Sequence, residues 1–164
     1  MFASAIAKVP AETVFCVAGT GLAECFHRDY GRAKRGTKIY GKVSGGKFKR
    51  THIVAAQCCG RIVVPMEYDG TTDHCIFETW FIRALLPELP ENSVVVLDNA
   101  TFHRKSVLFE WARRAKIEVK FLPAYLPDFI PIEKTWANLK AFLRGDAFPC
   151  NSLQDTVSDY FKVE

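Results

Sequence analysis

The chain has 164 residues, a length that favours one domain, and with 49% hydrophobic and 13% aromatic residues it can bury a substantial core. No apolar run approaches the roughly 18 residues that span a bilayer. The N-terminal MFASAIAKVPAETVFCV lacks the basic start of a signal peptide, so membrane-spanning and secreted classes are set aside and a cytoplasmic location is expected. The net charge is +4, unevenly spread: nine Lys or Arg stand against one acid between Arg28 and Arg50, whereas the remainder carries 13 bases and 17 acids. A basic stretch on a mildly acidic body fits either a polyanion partner or a solvated, Lys-rich hairpin. The six cysteines, Cys16, Cys25, Cys58, Cys59, Cys75 and Cys150, contain no C-x-x-C pair and predict no disulfide framework in a reducing compartment.

Taken in chain order, Thr13–Val17 reads as a short buried strand bounded by Gly19 and Gly21. Lys38–Val43 reads as a further strand candidate ending at the turn Ser44-Gly45-Gly46. Lys49–Cys58 and Arg61–Met66 follow as a pair broken at Gly60, which makes an antiparallel meander. The period then changes. Ile76, Phe77, Trp80, Phe81, Ala84 and Leu85 repeat at helical spacing between Thr72 and Leu86. Ser93–Leu97 is continuously apolar, as a strand covered on both faces should be. Arg104–Lys116 is helical, with Val107, Leu108, Trp111, Ala112 and Ala115 on one side, and Glu118–Leu122 alternates as a strand. A Pro-rich connector, Pro123–Pro131, leads to a helix from Pro131 to about Arg144 with the stripe Ile132, Trp136, Leu139 and Leu143. A last helix starts near Ser152, where Ser152 and Asp155 have capping-box spacing. A meander followed by alternating helices and strands predicts an α/β fold with a mixed sheet covered by helices.

Two acids stand where such a sheet does chemistry. Asp98 follows SVVVL directly, at the C-terminal end of a strand, the edge where open α/β sheets place their ligands. An Asp-Asn pair there also serves simply to turn the chain and cap the next helix. Glu133 occupies the first turn of the helix that begins at Pro131, roughly 100° round from Ile132, where it is free of the core. A Glu in a first turn is also favoured by the helix dipole alone. Carboxylates at neighbouring element ends suit Mg²⁺, which takes oxygen ligands, and paired ions of this kind support phosphoryl transfer.

LDNATFH (Leu97–His103) followed by LPAYLPDFIPIEKTWANLK (Leu122–Lys140), with 34 residues between Asp98 and Glu133, resembles the DDE superfamily of transposases, in its mariner-related bacterial insertion-sequence branch. The similarity extends through RDYGRAKRGTKIYG (Arg28–Gly41) and YDGTTDH (Tyr68–His74) and so covers nearly the whole chain. The resemblance implies an RNase H-like mixed five-stranded sheet with helices on both faces, forming one catalytic domain over residues 1–164. It implies cleavage and transfer of DNA strands at transposon ends with Mg²⁺ or Mn²⁺, two ions in an intact site. Asp98 and Glu133 would be the second and third carboxylates and metal ligands, with Asn99 and His103 as secondary site candidates. Duplex DNA, both transposon end and target, would be the partner, contacted by Arg28, Arg32, Lys34, Arg35, Lys38, Lys47, Lys49 and Arg50. A homodimer is expected in the active assembly, in the nucleoid. The helix-turn-helix modules that read bases in related transposases are expected to lie outside this chain, on a separate polypeptide or in a longer protein.

The chain departs from the family pattern at two places. Where the first carboxylate is expected, in a Val-Asp-Glu-(Ser/Thr)-Gly pattern, the chain reads Val17-Ala18-Gly19-Thr20-Gly21. Ala18 has no oxygen to offer a cation, which implies impaired catalysis. Ile130 stands where related sequences carry a helix-capping Asn, at an expected cost of about 0.5–2 kcal/mol. Glu24, Asp29 and Asp73 are the nearest acids that could substitute for the missing carboxylate. The alternative to an impaired transposase domain is a catalytically inactive DNA-binding or assembly protein derived from one.

Overall fold

A computed structural model describes residues 6, 8–23, 50–101, 103–123, 131–144 and 153–163 of the chain. Among them a five-stranded sheet has the order β3-β2-β1-β4-β5. Strand β1 (Val14–Ala23) lies at its centre, flanked by β2 (Arg50–Cys58) and β4 (Val94–Leu97), with β3 (Arg61–Asp69) and β5 (Glu118–Phe121) at the edges. The meander β1-β2-β3 is antiparallel, and β4 and β5 run parallel to β1, which makes the sheet mixed. Helix α1 (His74–Trp80) continues through a π-helical stretch (Phe81–Leu85) to a short turn (Leu86–Glu88). Helix α2 (Lys105–Arg114) joins β4 to β5, and α3 (Ile132–Arg144) and α4 (Leu153–Val163) follow.

Strand alternation divides the core in two. Phe15, Val17, Val54, Ala56, Val95, Leu97 and Val119 point to one face, where Phe77, Trp80, Phe81 and Leu85 and the α2 residues Leu108 and Ala112 cover them. Cys16, Ala18, Leu22, Ile53, Ala55, Val94 and Val96 point to the other, under Ile132, Trp136, Leu139 and Leu143 of α3 and Val157 of α4. Helices therefore cover both faces. The stripe read from the sequence on α3 is buried in full. All four residues of β4 are buried, which is why that strand is apolar at every position rather than at every second one.

Three local features differ from the sequence reading. Strand β1 does not stop at Val17 but runs on through Gly19 and Gly21 to Ala23, because its partner β2 supplies a continuous antiparallel ladder from Cys16–Gln57 to Ala23–Arg50. A glycine marks a strand end only where no partner is waiting. Trp111, expected on the apolar side of its helix, is 38% exposed and carries the Arg114 guanidinium over its ring. The buried side of α2 is narrower than its apolar composition suggests, comprising Leu108 and Ala112. Asp98 does not cap α2, whose N-terminal residue Arg104 makes no side-chain capping bond.

The β2–β3 turn has positive φ at both Cys59 and Gly60, as a two-residue hairpin requires. Asp73 caps α1 by accepting a 2.9 Å hydrogen bond from the Ile76 amide. The strand candidate Lys38–Val43, the connector residues 124–130 that include Ile130, and the cap residue Ser152 lie outside the described residues.

Candidate active site

Parallel pairing of β1 with β4 runs in register from Val14–Val94 to Val17–Leu97. Ala18 and Asp98 are each the next residue, so the ladder sets the two positions side by side at one edge of the sheet. The Ala18 methyl is buried and belongs to the core cluster that includes Ile132 at the start of α3. At the neighbouring Gly19, a side chain would begin 3.3 Å from the Ile53 carbonyl oxygen, a tight but not closed fit.

Asp98 is exposed over half of its side chain, whereas its partner is not. The His103 ring, 2% exposed, approaches Asp98 Oδ1 through Nε2 at 2.8 Å. A carboxylate can only accept, so Nε2 carries the proton. A longer contact from the Ala100 amide, 3.4 Å, meets the same oxygen. The His103 hydrogen bond, partly opposed by burial, holds the Asp98 carboxyl below its ordinary range. His103 is fixed in turn by packing: its ring meets Phe77 edge-on at 4.3 Å and tilts against Phe121 at 6.1 Å. Next along the chain, Arg104 forks onto Glu78 of α1, with Nε donating to Oε1 at 2.7 Å and Nη2 to Oε2. This bidentate contact keeps the Glu78 carboxyl below its ordinary range despite burial.

Glu133 lies exposed in the first turn of α3. That helix is pinned to the sheet two residues later, where Thr135 Oγ1 accepts a buried 2.8 Å hydrogen bond from Gln57 Nε2; Gln57 is the β2 partner of Cys16. Asn99 is exposed. Of the basic residues assigned to DNA, Arg50 is described, exposed at the start of β2; Arg28, Arg32, Lys34, Arg35, Lys38, Lys47 and Lys49 lie outside the described residues. So do the substitute acids Glu24 and Asp29. Asp73 is committed to capping α1.

Among the described residues the donor set does not fit a pair of cations. Among the described residues no group of three or more Asp, Glu, His or Cys side chains is arranged to hold a metal ion. The position beside Asp98 offers a methyl group where a shared carboxylate would be needed.

The sequence reading missed Glu78 and gave Phe77 only a place on the apolar stripe. A signal was present: Glu78 falls at i, i+3 and i+7 with Phe81 and Leu85, which places one acid on the buried stripe of an amphipathic helix. Such an acid needs a cationic partner nearby.

The sequence profile described as DDE superfamily endonuclease matches residues 18–153. The chain belongs to that family. The RNase H-like fold of this DDE-superfamily chain is shared with solved structures at low identity. It is similar to the Mos1 transposase paired-end complex with left transposon end (TM-score 0.75, 17% identity, 99% of this chain and 51% of that one). It is also similar to the mariner Mos1 paired end complex with Mg (0.73, 16%, 99% and 51%) and to the catalytic domain of Mos1 mariner transposase (0.66, 15%, 99% and 76%). The chain thus spans about half the length of the full transposase chains it matches. Among curated proteins none matches it in sequence.

Proposed function

We propose that this chain is the catalytic domain of a DNA transposase that has lost the first of its three cation-binding carboxylates. With it the chain has lost efficient cleavage and transfer of strands at transposon ends. One observation carries the reading: the β1–β4 register sets residue 18 beside Asp98, and residue 18 is a buried alanine. Asp98 and Glu133 are the second and third carboxylates. Family membership and the likeness to mariner transposase structures support the descent; the incomplete donor set supports the impairment. The DNA partner is duplex, and the basic Arg28–Arg50 segment supplies its phosphate contacts. A second reading, a DNA-binding or assembly protein without chemistry, is favoured by the contrast between the lost carboxylate and an otherwise intact two-faced core.

The test is cleavage of supercoiled plasmid carrying the transposon ends, in Mg²⁺ and in Mn²⁺. The chain is expected to leave the plasmid intact. Ala18→Asp is expected to cleave it at least about 10²-fold faster, the scale on which a transition-state electrostatic contact is worth. Asp98→Asn in that background should abolish the gain. Cleavage by the unaltered chain at the rate of Ala18→Asp would overturn the impairment. Duplex binding that weakens steeply with salt, without cleavage by either protein, would favour the second reading.

A further inference from the structure

We propose that Glu78 is a positioning residue for Asp98, acting through the loop from Asp98 to Arg104; the inference rests on Asp98 being a site carboxylate. Two consecutive residues of α1 grip two consecutive residues at the end of that loop. Phe77 meets the His103 ring edge-on at 4.3 Å, and the Glu78 carboxylate takes both arms of the Arg104 guanidinium. His103 then presents Nε2 to Asp98 at 2.8 Å. The chain of contacts runs from helix α1, packed on one face of the sheet, to the exposed carboxylate at its rim.

The pairing is more than a link between two helices. An ion pair that only tied α1 to α2 could sit anywhere along either helix. This one sits at Arg104, the N-cap position just before α2 and directly after the histidine that holds Asp98. A bidentate fork fixes direction as well as distance. It therefore limits where the Arg104 side chain can lie, immediately after residue 103. Among the described residues the segment is also held by a 3.2 Å backbone bond from the His103 amide to the Ala100 carbonyl, by the 3.4 Å Ala100 contact to Asp98, and by the Val107 and Leu108 amides, which donate to the Arg104 carbonyl at 3.0 and 3.2 Å. Glu78 is buried and Arg104 reaches it from an exposed position, so the fixed partner is Glu78 and the guided one is the loop. Carboxylates that hold cations are commonly oriented by hydrogen bonds from neighbouring side chains. Here His103 aims Asp98 from the protein scaffold, beside a methyl group at residue 18.

The experiment uses the full chain labelled with ¹⁵N and follows the His103 side-chain nitrogens by NMR at fixed neutral pH, alongside Tm. In the parent protein a proton on His103 Nε2 is expected, as its 2.8 Å contact with the Asp98 carboxylate requires. Glu78→Gln keeps the shape and removes the charge, and is expected to cost the Nε2-bound proton its resonance and give mixed tautomers. Arg104→Gln breaks the same contact from the exposed side and gives the same loss even if the buried substitution fails to fold. Arg104→Lys, which retains the charge but not the fork, is expected to restore only part of the parental signal. Unchanged His103 signals in a folded Glu78→Gln or Arg104→Gln protein, with only a lowered Tm, would overturn the proposal and leave a plain structural ion pair. Because the measurement needs no DNA and no cation, it stands or falls separately from the restoration of cleavage by Ala18→Asp.

Discussion

Replacing Ala18 with Asp inserts a carboxylate where the side chain is 6% exposed, one residue past the last β1–β4 pair and beside Asp98. Without a cation the new group is desolvated and faces a like charge, and both effects raise its pKa and disfavour the ionised form. A buried polar group left without a partner costs about 1–3 kcal/mol. For a chain of 164 residues, at roughly 2–4 °C per kcal/mol, the variant in EDTA should melt about 2–12 °C below the parent. A cation that binds only the folded state at about a hundredfold over its Kd returns about 2.7 kcal/mol. By the same conversion that is a rise of about 5–11 °C. The assay is thermal melting of both proteins in EDTA and in graded Mn²⁺. The expected pattern is a crossed one: Ala18→Asp is less stable without the ion and recovers with it, while the parent does not respond. An equal Mn²⁺-induced rise in the parent would show that Asp98 and Glu133 hold the ion unaided. A cooperatively folded Ala18→Asp protein that ignores Mn²⁺ would show that the three positions do not converge. The first result refutes the impairment and the second the reasoning from strand register.

Two further outcomes follow from the same contacts. Thr135→Val removes the nearer of two acceptors of the Gln57 amide, leaving the 3.3 Å contact to the Gly60 carbonyl, and should lower stability by about 1 kcal/mol in urea titration; adding Gln57→Leu should recover part of that loss. Asp98 and Glu78 both have folded-state pKa values below their ordinary 3.8 and 4.5, so the stability they contribute is present above those values and is lost as the pH falls through the depressed ones. Asp98→Asn and Glu78→Gln should each flatten the acid limb of a stability–pH curve below about pH 4.5, and an unchanged slope would count against these contacts.

Much of the fold was legible from local pattern. The α3 stripe, the all-apolar β4 and the Gly60 hairpin each follow from period, burial and turn chemistry, which are properties of a few neighbouring residues. The misreadings arose where a distant partner overruled a local signal. Gly19 and Gly21 look like a strand end until β2 pairs across them, and Trp111 looks buried until the helix is seen to turn it outward. The candidate site was legible in part. Asp98, Glu133 and the methyl group at residue 18 are facts of the sequence, and their likeness to a family pattern singled them out. His103 was visible only as a neighbour of Asp98, and Glu78 was not noticed.

What the sequence determined by itself is therefore a set of elements, their apolar faces, and which chemical groups are available, including the oxygen that residue 18 lacks. Tertiary structure alone decided which of those groups meet. Residue 18 stands beside Asp98 because the hydrogen-bond ladder of β1 and β4 fixes a register that neither strand's composition encodes. Asp98 is aimed by His103, and His103 is gripped from α1, because packing joins residues by volume and charge rather than by separation along the chain.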